Sequence, residues 1–161
     1  MIDLPHRPTL FIDRNSGGRT FRDLIAEAGI KVVLHDEHFT DNKTPDEVWL
    51  KAIGELGWIM ITGDIATSRS LLFLAILKRS SSRVFILEGL NHATREGKAK
   101  CVIESYDAII RVSKKYPPPL LWRGLPPVFD PLAMRVSVGF RGLGWWCFGG
   151  REGRSLAAAG A

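Results

Sequence analysis

Thr44-Pro-Asp-Glu-Val-Trp-Leu-Lys-Ala-Ile-Gly-Glu-Leu-Gly-Trp-Ile-Met-Ile-Thr-Gly-Asp64 reads as a helix, a stop and a strand that runs into an acid. Thr44 is placed as the N-cap, Pro45 at the first helical position and Glu47 where a capping box needs its side chain. Val48, Leu50, Ala52, Ile53 and Leu56 supply the buried side, and Gly57 closes the helix. Trp58-Ile-Met-Ile-Thr62 is then a strand, followed at once by Gly63-Asp64.

The same alternation continues to either side. Thr9-Leu-Phe-Ile12 is a short buried strand ending at Asp13, and Asn15-Ser-Gly-Gly18 is a turn. Thr20–Ala28 carries Phe21, Leu24, Ile25 and Ala28 at helical spacing, with Gly29 as its stop. Lys31-Val-Val-Leu34 is a strand, and His35–Lys43 reads as a loop. Downstream, Ser68–Lys78 is an apolar helix and Arg83-Val-Phe-Ile-Leu87 a strand. A long amphipathic helix places Val102, Ile103, Tyr106, Ile109 and Ile110 on one stripe; Pro117-Pro-Pro119 ends it, and Leu120–Arg123 adds an edge strand.

Strand and helix alternating with short connections predict right-handed crossovers. The fold class is therefore α/β, a three-layer sandwich with a mostly parallel sheet of four to five strands. Residues 1–125 form the domain. Residues 126–161, rich in Gly, Arg and Trp, form a tail to which no secondary structure is assigned, expected to be poorly ordered.

The chain of 161 residues is 45% apolar and 24% charged, which excludes a wholly disordered or collagen-like protein. Its longest apolar run, Leu71–Leu77, is far short of the roughly 18 residues that span a bilayer. No basic-then-apolar segment opens it, so a secretory signal is not expected. Cys101 and Cys147 offer neither a disulfide framework nor zinc-knuckle spacing, and the expected location is cytoplasmic. The net charge is +5. Residues 1–130 hold 18 basic against 16 acidic residues, and Arg135, Arg141, Arg151 and Arg154 against Glu152 supply the rest. Charge alone is thus weak evidence for nucleic-acid binding by the domain.

Ligands of an open parallel sheet bind outside the carboxyl ends of its strands. Asp13 and Asp64 follow strands directly, and Asp46 starts a helix whose amino end should face the same edge. Three carboxylates in one cleft repel each other unless a cation neutralises them, and such hard oxygen ligands suit Mg²⁺ or Mn²⁺. Ions of this kind can polarise a phosphodiester and orient a water for in-line attack. No Ser, Cys or His nucleophile with its base competes with that reading.

Phe11-Ile-Asp-Arg-Asn15, Thr44-Pro-Asp-Glu-Val-Trp-Leu50 and Gly57-Trp-Ile-Met-Ile-Thr-Gly-Asp64, in this order and spacing, resemble a PIN-like domain of the VapC toxin type. The Pro117-Pro-Pro-Leu-Leu-Trp-Arg123 ending fits as well, and the resemblance runs from about Thr9 to Gly124. It implies a Mg²⁺- or Mn²⁺-dependent endoribonuclease that leaves a 5′-phosphate, usually the toxin half of a type II toxin–antitoxin pair. It further implies Asp13, Asp46 and Asp64 as catalytic, metal-binding carboxylates. Asn15 would brace Asp13 or contact the phosphate, Thr62 would orient Asp64, and Glu47 is a second-choice ligand. Arg14 and Arg69 would meet the RNA substrate. The implied partners are RNA and a cognate antitoxin, with a homodimer as a further option and no membrane.

The segment after Asp64 departs from that pattern. Ala66–Leu77 is largely apolar, which leaves Arg69, Lys78, Arg79 and Arg83 to meet phosphates and favours a buried helix or a dimer contact. Two alternatives stand beside the nuclease: a receiver-like regulatory module and a PIN-like fold without activity. A receiver needs adjacent acids and a late-strand Lys, whereas Asp13 has no acidic neighbour and Glu88 follows the fourth strand. His35-Asp-Glu-His38 lacks a third spaced zinc ligand and is read as solvated loop. Gly17-Gly18 lacks a phosphate-loop fingerprint, and Cys101 lacks an activating partner. Trp145-Trp146 with Arg141 and Arg151 has no regular spacing for base stacking.

Overall fold

The computed structural model describes residues 6–39, 41 and 43–124; the expected tail, 126–161, lies outside the described residues. Strands β1 (Leu10–Ile12), β2 (Val32–Leu34), β3 (Ile59–Thr62), β4 (Arg83–Leu87) and β5 (Leu120–Gly124) form one sheet in the order β2-β1-β3-β4-β5. Every pairing is parallel, so the fold is α/β with a five-stranded, wholly parallel sheet. Helices α1 (Arg19–Glu27), α2 (His35–His38), α3 (Asp46–Glu55), α4 (Leu71–Arg79) and α5 (Arg95–Lys115) connect the strands.

The period of two along each strand divides the core into two layers. Ile59 and Ile61 point to one face, where Phe21 and Ile25 of α1 and Val102, Tyr106 and Ile109 of α5 cover them. Met60 points to the other, against Trp49, Leu50 and Ile53 of α3 and Phe73 and Leu77 of α4. The stripe expected on α5 is thus core. Gly29 and Gly57 close α1 and α3 with φ of 78° and 67°, angles that a Cβ disfavours. Because all strands run the same way, α1, α3, α4 and α5 begin at the carboxyl edge of the sheet and end at its amino edge.

Four local expectations are corrected. Val48 and Leu56, expected on the buried side of α3, are 52% and 48% exposed, and Trp49 is buried instead. Residues 35–38, expected as loop, form the single turn α2: Leu34 N–H donates to Glu37 Oε2 at 3.2 Å, and the His35 ring is buried beside Phe11, Phe39 and Trp49. Thr44 does not cap α3. Its hydroxyl donates to the Asp41 carbonyl at 2.9 Å, Pro45 takes the cap position, and Glu47 forms no capping box. The helix expected over 68–78 splits into a 3-10 turn, Ile65–Arg69, and α4, which Ser70 caps by accepting from Phe73 N–H at 3.2 Å. On α4, Leu71 and Leu72 are 83% and 71% exposed, so this apolar helix is buried only on its Phe73–Leu77 side.

Candidate active site

β1 lies between β2 and β3, so the chain leaves the carboxyl ends of β1 and β3 toward opposite faces and opens a crevice there. The residues just past these two strands line it. Asp13 N–H donates to the Ile61 carbonyl at 3.0 Å, which extends the β1–β3 ladder to the aspartate itself. Asp64 stands two residues beyond β3 and caps the 3-10 turn by accepting from Ala66 N–H at 2.9 Å.

Thr62 links the two acids. Its buried hydroxyl donates to Asp13 Oδ2 at 3.1 Å and accepts the Asp64 N–H at 3.1 Å. The single hydroxyl proton is given to the carboxylate, which only accepts when ionised. Ser16 Oγ, 3.4 Å from Thr62 Oγ1 and accepting Gly63 N–H at 2.8 Å, must then point its own proton at Thr62. Gly63 is required here: a Cβ would stand 2.9 Å from the backbone nitrogen of Asn91 in the loop after β4. The loops after β1, β3 and β4 therefore interlock under the acids. Burial holds the Asp13 carboxyl above the ordinary aspartate value, and the Asp64 charge pushes the same way. The Thr62 hydroxyl, the Arg14 backbone and the His35 ring oppose that shift without cancelling it.

Asp46 is held at the first turn of α3, where its Oδ1 accepts from Trp49 Nε1 at 3.1 Å. Trp49 stacks on Phe11 and meets the His35 ring edge-on, with centroids 5.9 Å apart in both contacts. The His35 Nδ1 faces Asp36 Oδ1 at 3.1 Å and Arg14 Nη2 at 3.3 Å. Burial of Asp36 is outweighed by its hydrogen bonds from His35 and Arg14, which hold its carboxyl below the usual range. Arg14 Nε reaches Asp36 at 2.9 Å, so this cation is shared with an acid of its own edge. Asn15 and Glu47 are exposed at the same edge, as is Arg69 at the end of the 3-10 turn after Asp64.

Sequence reasoning missed Ser16 and Lys98, and read as solvated loop a His35 that is buried. Lys98, in the first turns of α5, extends its Nζ to the Ser16 carbonyl at 3.3 Å, a contact across 82 residues. Ser16 did carry a signal, standing next to the flagged Asn15; nothing local marks Lys98. Glu88 and Arg123 form an ion pair past β4 and on β5. Of the four cations expected after Asp64, only Arg69 lies at this edge. Lys78 and Arg79 end α4 and Arg83 begins β4, at the opposite end of the sheet.

The donor set fits a hard divalent cation in a restricted sense. Among the described residues no three His, Cys, Asp or Glu side chains gather as a metal cluster, so Asp46 does not join Asp13 and Asp64 in a preformed triad. Mg²⁺ commonly uses one or two carboxylates and completes its shell with water and substrate phosphate. The Asp13–Asp64 pair, with one carboxylate already destabilised by burial and like charge, supplies that donor set.

Together these features define an open parallel α/β domain with an acidic site at its topological switch point. A family model described as a PIN-like domain matches residues 8–89, half of the chain, and ends just past β4. The protein belongs to the PIN-like domain family, whose members are generally nucleases. No curated protein and no solved structure matches the chain. Among the described residues no helix is long and apolar enough to cross a membrane.

Proposed function

We propose that the protein is a Mg²⁺- or Mn²⁺-dependent endoribonuclease and the toxin half of a type II toxin–antitoxin pair. The observation that carries the reading is the Asp13–Thr62–Asp64 constellation at the β1/β3 crevice of a PIN-like chain. Asp13 and Asp64 are the ligands; a bound ion there supplies a Lewis acid for the phosphodiester and a more acidic water. Thr62 and Ser16 fix the Asp13 carboxylate, the task that metal-site partners perform behind the ligands. Asp46 and Glu47, one helix away at the same edge, serve a second ion or its water shell once RNA brings further charge. Arg69 meets the scissile region's phosphates, and Arg14 does so while balanced by Asp36. Asn15, exposed beside Asp13, contacts the substrate rather than bracing the acid.

The antitoxin is assigned to the head of α4. Leu71 and Leu72 project there beside the Asp64 turn, and a protein covering them also covers the crevice. A nuclease assay on structured RNAs with Mg²⁺, with Mn²⁺ and with EDTA tests the activity. Cleavage is expected with either ion and lost in EDTA. Asp64→Asn is expected to lower it at least about a hundredfold, because even residues behind metal ligands cost 10–100-fold. An unchanged rate in that variant, with its circular dichroism intact, would remove the assignment.

A further inference from the structure

We infer that the amino edge of the sheet, remote from the crevice, is a phosphate-backbone dock for single-stranded RNA. The topology sorts charge along the strand axis. Arg7 precedes β1, Lys31 precedes β2, Arg79 ends α4, Arg83 begins β4, and Lys114 and Lys115 end α5, so six cations share one edge. Of the acids, Glu27 and Glu55 end helices there, and Glu55 already faces Lys51 at 4.0 Å. None of the six cations forms an ion pair among the described residues, although Lys115 lies 5.4 Å over the Tyr116 ring. Cations at helix ends complement the helix dipole and could stand there for that reason alone.

Arg83 has no such reason. It sits on a strand, in register with Ile59 and Leu120, whose side chains belong to the apolar layer under α1 and α5. Its residue is only 6% exposed, and its Nε has no hydrogen-bond partner. Burial pulls its pKa downward, the mark of a desolvated cation without a compensating acid. A buried guanidinium with an unsatisfied Nε–H and no ion pair among the described residues is costly, and it binds an arriving anion more strongly than a solvated one would. A buried Arg on the same edge as exposed Lys and Arg matches a chain of phosphates, which takes many point contacts and one rigid anchor.

The choice of RNA rests on the nuclease reading. The crevice uses its bound ion to neutralise its own acids and offers the substrate's phosphates few cations besides Arg69 and the shared Arg14, so further affinity comes from another surface. The 21-residue α5 runs from the crevice edge to the dock, about 31 Å. At ~3.4 Å per stacked nucleotide, roughly ten nucleotides bridge the two ends. A trinucleotide therefore reaches the crevice and not the dock.

The test uses the full chain in EDTA, so that binding is read without cleavage, with a fluorescent single-stranded RNA of about 15 nucleotides. Arg79→Glu/Lys114→Glu/Lys115→Glu is expected to weaken binding more than tenfold and to flatten the logarithmic salt dependence by about 2, for three lost contacts at ~0.7 each. The variant stays folded by circular dichroism, its melting temperature lowered only by the reversed helix-end charges, and its cleavage of a trinucleotide stays at the parent's rate. Arg83→Met, which keeps the layer apolar, is expected to weaken the same binding while folding normally. Unchanged affinity and salt slope in both variants would overturn the dock. So would tighter binding of the parent to phosphatidylglycerol vesicles or to polyglutamate than to RNA at equal salt. A parent that binds RNA through these residues yet never cleaves it keeps the dock and loses the nuclease. The converse result keeps the nuclease alone.

Discussion

The two edges of the sheet handle charge in opposite ways. At the carboxyl edge acids predominate, and three of the cations that join them are paired: Arg14 with Asp36, Arg22 with Glu37, and Arg123 with Glu88. Its buried hydroxyls are also satisfied, Ser16 and Thr62 forming a closed chain that ends on Asp13. At the amino edge Arg83 keeps an orphaned Nε, and Ser113 Oγ, near the end of α5, is orphaned as well. A net charge near balance over residues 1–130 hides this polarity, because parallel strands send all helix ends of one kind to one edge. The acidic edge holds its polar groups in a closed hydrogen-bonded chain, while the basic edge leaves a buried guanidinium Nε–H and a hydroxyl without partners among the described residues.

The strongest way to break that contrast is to open the closed hydroxyl chain. Thr62→Val keeps the volume but removes the donor to Asp13 and the acceptor for Asp64 N–H. Nuclease activity is expected to fall 10–100-fold, with stability lowered by about 1–3 kcal/mol, measured by RNA cleavage and by urea unfolding. Gly63→Ala attacks the same edge through sterics, forcing the Asn91 backbone away. A loss of about 1–3 kcal/mol is expected in the same unfolding assay. At the opposite edge the sign reverses: Arg83→Met replaces an unpartnered buried cation with an apolar side chain. It should stabilise the fold by about 1 kcal/mol or more.

The smallest effect is the pH dependence of Asp13. Its carboxyl titrates higher folded than unfolded, so the folded state holds more protons between those two values. Stability contributed by this group is therefore greatest below the ordinary aspartate pKa and is lost as pH rises through the folded value. Asp13→Asn is expected to be more stable than the parent at neutral pH, with the advantage shrinking on acidification; thermal melts across pH 3–7 read it. The Cys101 thiol gives a control outside both edges. Burial pushes it up to about 11, so labelling by a thiol reagent at neutral pH should be slow in the folded chain.

Much of this architecture is legible from local pattern. Uniformly apolar runs such as Ile59–Ile61 mark strands buried on both faces, and the acids that follow them mark the functional edge. The positions of Asp13 and Asp64 follow because strand ends are set by the nearest few residues. What failed depends on distant contacts. His35–His38 turns helical because Phe11 and Trp49, from other elements, bury the His35 ring. Thr44 leaves the cap because the Asp41 carbonyl competes for its hydroxyl. Ser16 and Lys98 gain their roles across 47 and 82 residues, beyond any spacing rule. The polarity of the two edges is likewise invisible until the strand order is known.

The central claim, that Asp13 and Asp64 share a divalent cation at the crevice, is tested most directly by thermal unfolding with and without Mg²⁺. An ion bound only by the folded state stabilises it by about 2.7 kcal/mol at a hundredfold excess over its Kd. The parent should melt several degrees higher in Mg²⁺ than in EDTA. Asp64→Asn should lose that increment and, relieved of like-charge repulsion on Asp13, melt above the parent in EDTA. Equal Mg²⁺ shifts in parent and variant, or no shift in the parent, would contradict the account.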